Sequence, residues 1–231
     1  MAILTAGERL DSNGRPQPNT GFEYDSEGPI APLLEQRISP IISQPVTGEW
    51  IFGLKSEEDT GGEYQSGVVI FRPGNMGPPP HFHPTYDEQF EILVGEFLFV
   101  VDGVEQIAQP GDKLVVKQNV PHTFRCISDQ YGALIGSTWP ASNITPVLFT
   151  LFGMAHEGKL GPQGQPKFWH AMVIGEAFAD NTVFTSPPPA VTLTLAKILG
   201  PIGRALGHQA SDPAYEDPAF WEQTVNQPKP A

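Results

Sequence analysis

The 231 residues suffice for one large domain, or for one domain with sizeable extensions, and the second arrangement is expected. The 26 Asp and Glu against 13 Lys and Arg give a net charge of -13; without a basic cluster this excludes nucleic acid as the partner, because phosphate backbones are bound by grouped positive charge. Cys126 is the single cysteine, which excludes an internal disulfide framework and fits a reducing interior.

Along the chain, residues 1–20 are polar and carry no basic head or apolar signal core, and no apolar run approaches the roughly 18 residues of a membrane span. A cytoplasmic location and no membrane span are therefore expected. Residues 1–47 read as an N-terminal arm that lies across the domain or pairs with a neighbour; within it, residues 33–38 fit a short helix or an extended segment equally well. From Glu49 the pattern sharpens into short β-rich runs at 49–55, 64–72, 88–94 and 96–101, separated by Gly and Pro turns. Asp102-Gly103 carries the strongest hairpin signal in the chain. Further strands are expected at 113–117, 121–127, 133–139 and 146–152. So many strands at short intervals fit a double-sheet jelly roll or barrel over 48–153.

Residues 154–231 change character to a helical extension and an irregular tail. Helices are expected at 169–178 and 190–199, the second ended or kinked by Gly200-Pro201. Leu195, Ile198, Leu199 and Ile202 recur at helical spacing and form an apolar stripe suited to packing on the barrel or on a sister subunit. Apolar termini and β edges make a homodimer the expected assembly.

The chemistry concentrates in His81-Phe82-His83. Strand alternation aims both imidazoles at one face, a turn follows, and Glu88 opens the next strand, while His122 lies in a second turn. Three imidazole nitrogens and one carboxylate oxygen suit Fe, Mn, Ni, Co or Zn better than Ca or Mg, and an ion with open positions can also take water, substrate or dioxygen. Asp87 competes with Glu88 as the ligand or orients a ligand histidine; Glu91 falls on the opposite strand face. Phe90 shares the face of Glu88 and Phe124 that of His122, so both are candidates for an apolar substrate pocket, with core packing as the rival role. His156 and His170 lie outside this series. Ser137 has no recognisable His and acid partners for a triad, and Gly161-Pro-Gln-Gly164 lacks the strand, lysine and helix start of a phosphate cradle.

These residues resemble the cupin superfamily. The first cupin motif has His-x-His, three or four residues, Glu, six residues and Gly; here it reads His81-Phe82-His83, four residues, Glu88, six residues and Gly95. Its leading glycine is off register, with Asn75 at the nominal place between Gly74 and Gly77. In the second motif Gly111 and His122 match, whereas Lys117 replaces proline, Asn119 the second glycine and Cys126 the final asparagine. The resemblance implies an all-β fold, a double-stranded β-helix (the jelly-roll cupin barrel) with a C-terminal helical extension, and metal ligation by His81, His83, Glu88 and His122. The expected function is a metal-dependent oxygenase, a dioxygenase acting on a small apolar or aromatic metabolite, with one divalent transition metal, Fe favoured. Glu88 is its expected catalytic carboxylate, and Tyr86 or Glu91 the candidate proton-transfer group. The alternatives are a non-redox metal-dependent isomerase, lyase or hydrolase, and a small-molecule binding or structural cupin without catalysis.

Overall fold

A computed structural model describes residues 2–228. In chain order the elements are β1 (Ile3–Ala6), β2 (Phe22–Asp25), α1 (Ile30–Glu35), β3 (Ile42–Gln44), β4 (Glu49–Lys55), α2 (Glu57–Thr60), β5 (Gln65–Phe71), β6 (His81–Phe82), β7 (Asp87–Val94), β8 (Phe97–Val101), β9 (Val104–Ala108), β10 (Lys113–Val116), β11 (His122–Cys126), β12 (Gly132–Trp139), α3 (Ile144–His156), α4 (Phe168–Ala177), β13 (Val183–Phe184), α5 (Pro189–Ala205), α6 (Pro213–Glu216) and α7 (Pro218–Thr224). Asp102 and Gly103 both have positive φ, the signature of the tight hairpin turn their sequence predicts between β8 and β9.

Two antiparallel sheets organise the molecule, one in the order β10-β7-β12-β5-β4-β3 and one in the order β13-β6-β11-β8-β9. Phe71, Phe90, Ile92 and Leu134 from the first meet Phe97, Phe99, Phe124 and Cys126 from the second in one apolar core. The outer face of the six-stranded sheet is covered as well. Trp50, Phe52, Val68 and Ile70 pack there against Phe22 and Ile30 of the N-terminal segment, Phe152 of α3 and Trp221 of α7. Central strands buried on both faces become continuous apolar runs instead of alternating ones, which is why β5 reads Val68-Val-Ile-Phe71.

Several expectations are corrected. The strand expected at 146–152 is helix: α3 buries Val147, Thr150 and Phe152, and Phe152 joins the core on the outer face of the six-stranded sheet. An apolar run of that length suits either state, and Pro146 sits in the first helical turn, where a missing N–H costs nothing. The helices α3 to α7 make the chain as a whole more than an all-β fold. Pro201 does not end α5, which runs on to Ala205. Gly200 and Gly203 serve close packing instead: an added Cβ would lie 2.7 Å from Glu176 Cβ and 2.6 Å from Val173 Cγ2, both on α4. An Arg204–Glu176 ion pair joins the same two helices. Of the two placements expected for the apolar stripe, the barrel is not the one seen: Leu195, Ile198 and Ile202 are exposed, while Ala196, Gly200 and Gly203 are the buried residues of α5.

The N-terminal segment lies across the domain and pairs with the chain's own C-terminal segment: Arg9 bridges Val225, and Asn226 N donates to Glu8 O at 2.7 Å. The expected irregular tail contains α6 and α7 and buries Tyr215, Trp221 and Val225; its last positions, 229–231, lie outside the described residues. Among the described residues no helix is long and apolar enough to cross a membrane.

His156 at the end of α3 places Nε2 2.9 Å from Ser43 Oγ and 3.0 Å from Ser43 O. Burial first, and then the charge of Arg9, push its pKa down from 6.5 to about 4. The unfolded chain therefore takes this proton first, so the contribution to stability is complete above about pH 6.5 and is lost as pH falls through about 4. We expect His156→Gln to lose less stability than the parent between about pH 7 and about pH 5, by on the order of 1–2 kcal/mol, in urea unfolding followed by circular dichroism at the two pH values. Parallel curves for the two proteins would refute this assignment.

Candidate metal centre

Sheet register builds the cluster. His81 in β6 lies directly opposite His122 in β11, which sets their rings 4.4 Å apart between centroids. His83 follows two residues later on the same face, 4.9 Å from His81 and 5.2 Å from His122. Glu88 comes from the other sheet, at the start of β7, and its Oε2 lies 3.1 Å from His83 Nε2 and 2.9 Å from His122 Nε2. One ligand atom from each of the four lies within 4.8 Å of the others. The cluster thus spans both sheets at one end of the core. His122 is sealed off and His83 is 6% exposed, whereas the Glu88 side chain keeps 20% exposure, which marks the side from which solvent reaches the cluster.

The protonation pattern fits a cation. Each imidazole turns Nδ1 to a backbone carbonyl, namely Pro79 O, Asn181 O and Val120 O at 2.8, 2.9 and 3.1 Å for His81, His83 and His122. A carbonyl only accepts, so Nδ1 carries the hydrogen, and in a neutral ring the Nε2 lone pair faces inward. Three such lone pairs around a carboxylate repel one another unless extra protons or a metal ion intervene. Burial drives the pKa of His81 down to about 4, against the opposing charge of Glu88, and so favours the neutral ring. Burial pushes the Glu88 carboxyl up, but an Nε2–H of His122 or His83 donated to Oε2, with the positive charge of a ring so protonated, outweighs it and holds the group well below the usual carboxylate range; a cation would take the place of those protons. Neutral nitrogens and an ionised oxygen are what a transition metal needs, and the four could hold one.

The other predicted site residues divide. Glu91 is not brought to the cluster: it points from the opposite face of β7 and pairs with Lys113 at 2.9 Å, as strand alternation demands. Asp87 faces the 117–119 turn, accepting from Lys117 Nζ at 2.7 Å and from Gln118 N at 3.0 Å. Tyr86 is adjacent but its hydroxyl is occupied, donating to Asn181 Oδ1 at 3.1 Å; burial and then the charge of Glu88 push its pKa far up, so it stays protonated. Its ring stacks on His83 at 4.3 Å and 21°. Phe90 and Phe124 are core side chains packed on each other at 5.1 Å and on Phe99; Phe90 also comes within 6.3 Å of the His122 ring. Away from the cluster, His156 meets Ser43, and His170 contacts His208 through Nδ1 atoms 3.0 Å apart.

The departures from the motifs have local explanations. Gly77, not position 75, meets the tight requirement: φ is +64°, and a Cβ there would fall 1.7 Å from Phe124 O. Asn75 braces that loop by donating to Thr47 O and Glu49 Oε1 and accepting from Gly77 N. Asn119 takes φ 64°, a left-handed geometry that Asn tolerates, and its N–H donates to His83 O at 2.8 Å. Lys117, in the proline's place, supplies the ion pair with Asp87.

Sequence reasoning missed Asn181, which lies 98 residues from His83. No motif spacing could signal it, because the contact is made by the return of a segment beyond the strand series.

Residues 67–135 match the family model described as the cupin domain. Among curated proteins, quercetin 2,3-dioxygenase of Bacillus subtilis (strain 168) is 27% identical over 120 residues, 51% of this chain and 34% of that enzyme. The chain thus matches about a third of the length of that relative. Among solved structures, an RmlC-like cupin from Shewanella frigidimarina aligns with 59% of this chain and 96% of its own, at 20% identity and a TM-score of 0.40. A predicted oxalate decarboxylase from Thermotoga maritima aligns with 45% of this chain and 93% of its own, at 18% identity and a TM-score of 0.40. Neither structural likeness carries an argument about activity.

Proposed function

Since this chain belongs to the cupin superfamily through residues 67–135, we propose that it is a metal-dependent dioxygenase acting on a small apolar or aromatic metabolite, with iron as the favoured metal. The observation that carries this reading is the convergence of three imidazoles and one carboxylate, with one ligand atom of each within 4.8 Å of the others, in a largely buried, aromatic setting. The partial likeness to quercetin 2,3-dioxygenase supports the oxygenase class.

In this reading His81, His83, Glu88 and His122 hold the ion, which when bound supplies redox chemistry and Lewis acidity at its open positions. The protein's part is placement. Carbonyl partners hold the three rings in one tautomer, Tyr86 supports His83, and Phe90 forms an apolar floor beside His122. Glu88 Oε2 is the proton acceptor nearest the centre and is the atom to which a substrate hydroxyl would yield its proton. Substrate enters on the side of Glu88.

The test is anaerobic purification, metal quantification, loading with iron, and oxygen uptake against flavonols, aromatic diols and enols. Oxygen consumed in step with substrate supports the dioxygenase. Turnover that persists without oxygen, or with redox-inert zinc, rejects it in favour of a non-redox lyase, isomerase or hydrolase. Tight metabolite binding without product identifies a binding protein.

A second copy of the chain is the proposed partner. Val191, Leu195, Ile198 and Ile202 of α5 and its C-cap Leu206 recur every three or four residues and are all exposed, a seam that another helix can cover. A homodimer is the expected result in light scattering, with Ile198→Glu giving monomers. A parent that is already monomeric at working concentration would contradict it.

A further inference from the structure

The three imidazoles are oriented from different distances. His81 and His122 donate to carbonyls two residues upstream, those of Pro79 and Val120. His83 donates to Asn181 O, which lies beyond α4 in the helical extension. That carbonyl is itself fixed. The Asn181 side chain is 2% exposed; its Oδ1 accepts from the Tyr86 and Thr182 hydroxyls at 3.1 and 2.7 Å, and its Nδ2 donates to Asn143 Oδ1 at 2.7 Å. The flanking residues tie down the same strands. Thr85 Oγ1 donates to Asp180 O at 2.9 Å, Val183 and Phe184 pair opposite Phe82 and His81, and Thr185 N donates to Pro80 O at 2.9 Å.

We propose that Asn181 is a positioning residue of the metal centre, and that segment 180–185 is a strap through which the helical extension fixes the ring orientation and tautomer of His83. The inference rests on the metal-centre reading above. A neutral His83 has two tautomers within reach of a partner. With the hydrogen on Nδ1 it serves Asn181 O and leaves the Nε2 lone pair for a metal; with the hydrogen on Nε2 it donates to Glu88 Oε2, 3.1 Å away, and the ligating lone pair is lost. A stationary carbonyl at Asn181 selects the first. The buried side-chain bonds of Asn181 keep that carbonyl stationary, and partners outside the ligand set are where metal affinity is commonly tuned.

The experiment compares the full-length parent with Asn181→Ala. Imidazole nitrogen chemical shifts of the metal-free proteins report each tautomer near neutral pH, and chelator competition reports affinity for Co²⁺ and Zn²⁺. We expect the His83 signals alone to move, losing Nδ1–H character relative to the parent, those of His81 and His122 to stay, and the dissociation constants to rise about 10- to 100-fold. Asn181→Asp keeps the acceptor for Tyr86 and Thr182, can accept from a turned Asn143 amide, and restores most of the affinity. Unchanged His83 signals or parental affinity in Asn181→Ala overturn the proposal. Should Asn181→Ala fail to fold, Tyr86→Phe decides: it keeps the stacked ring, removes one bond to Asn181, and is expected to produce a smaller change in the same direction confined to His83. Parental tautomer and affinity there overturn the proposal equally. A parent that binds neither metal refutes the metal reading instead, and the metal-free tautomer data distinguish the two failures.

Discussion

His122→Ala is expected to abolish stoichiometric binding of a transition metal. His122 is the proposed ligand whose side chain is fully enclosed; its ring contacts those of His81 and Phe90, and its Nε2 lies 2.9 Å from Glu88 Oε2. Truncation removes one of four donors and cannot be repaired by a neighbour, since Asp87 and Glu91 are both engaged by lysines away from the cluster. Loss of a mere outer partner already costs about 10- to 100-fold in affinity, so loss of a ligand should exceed about 100-fold. Metal content after purification is one measurement. The other is thermal stabilisation by added Co²⁺ or Zn²⁺, which for the parent should approach the roughly 2.7 kcal/mol of a ligand at about 100 times its dissociation constant and for His122→Ala should vanish. Asp87→Ala and Glu91→Gln are expected to bind as the parent does. Full metal occupancy in His122→Ala would remove the basis for the proposed centre.

Trp221→Ala is expected to cost about 3–5 kcal/mol, the range for deleting a large buried aromatic side chain, although position 221 is close to the end of the chain. Trp221 is fully buried, its Nε1 donates to Tyr215 O at 2.6 Å, and its ring meets Phe220, Phe149 and His156 edge-on. It lies in the core that covers the outer face of the six-stranded sheet, together with Phe22, Trp50 and Phe152. A loss of that size is a large share of the roughly 5–15 kcal/mol that holds a domain folded. Urea unfolding followed by far-ultraviolet circular dichroism measures it. Trp221→Phe keeps most of the apolar contact and should recover much of the loss. A cost below about 1 kcal/mol would show that α7 contributes little to this core.

How much of this was legible depends on the range of the interaction. Short strands announce themselves through alternation and turn residues, so 49–55, 133–139 and the Asp102-Gly103 hairpin lie within a residue or so of where the pattern puts them. The run Val147-Leu-Phe-Thr-Leu-Phe152 misleads because it satisfies a strand and a buried helix alike, and only the sheet waiting beneath α3 decides. Gly200-Pro201 misleads for a related reason. Locally it is a breaker, yet the close approach of α4 that these glycines permit favours continuing the helix.

The sequence by itself determined the four residues of the cluster, because His81, His83 and Glu88 are separated by a strand step and one turn, and His122 is the one histidine of a second motif-like turn. It also determined that Glu91 faces away, since side-chain alternation in a strand is a property of the backbone. Tertiary structure alone decided that Tyr86 is committed to Asn181, that Phe90 and Phe124 pack together between the two sheets, and that the extension beyond the strands reaches back to His83. Those outcomes rest on contacts between segments tens of residues apart. Local propensity carries no record of such contacts; they form only when burying the second face of one sheet and the end of the other brings the segments together.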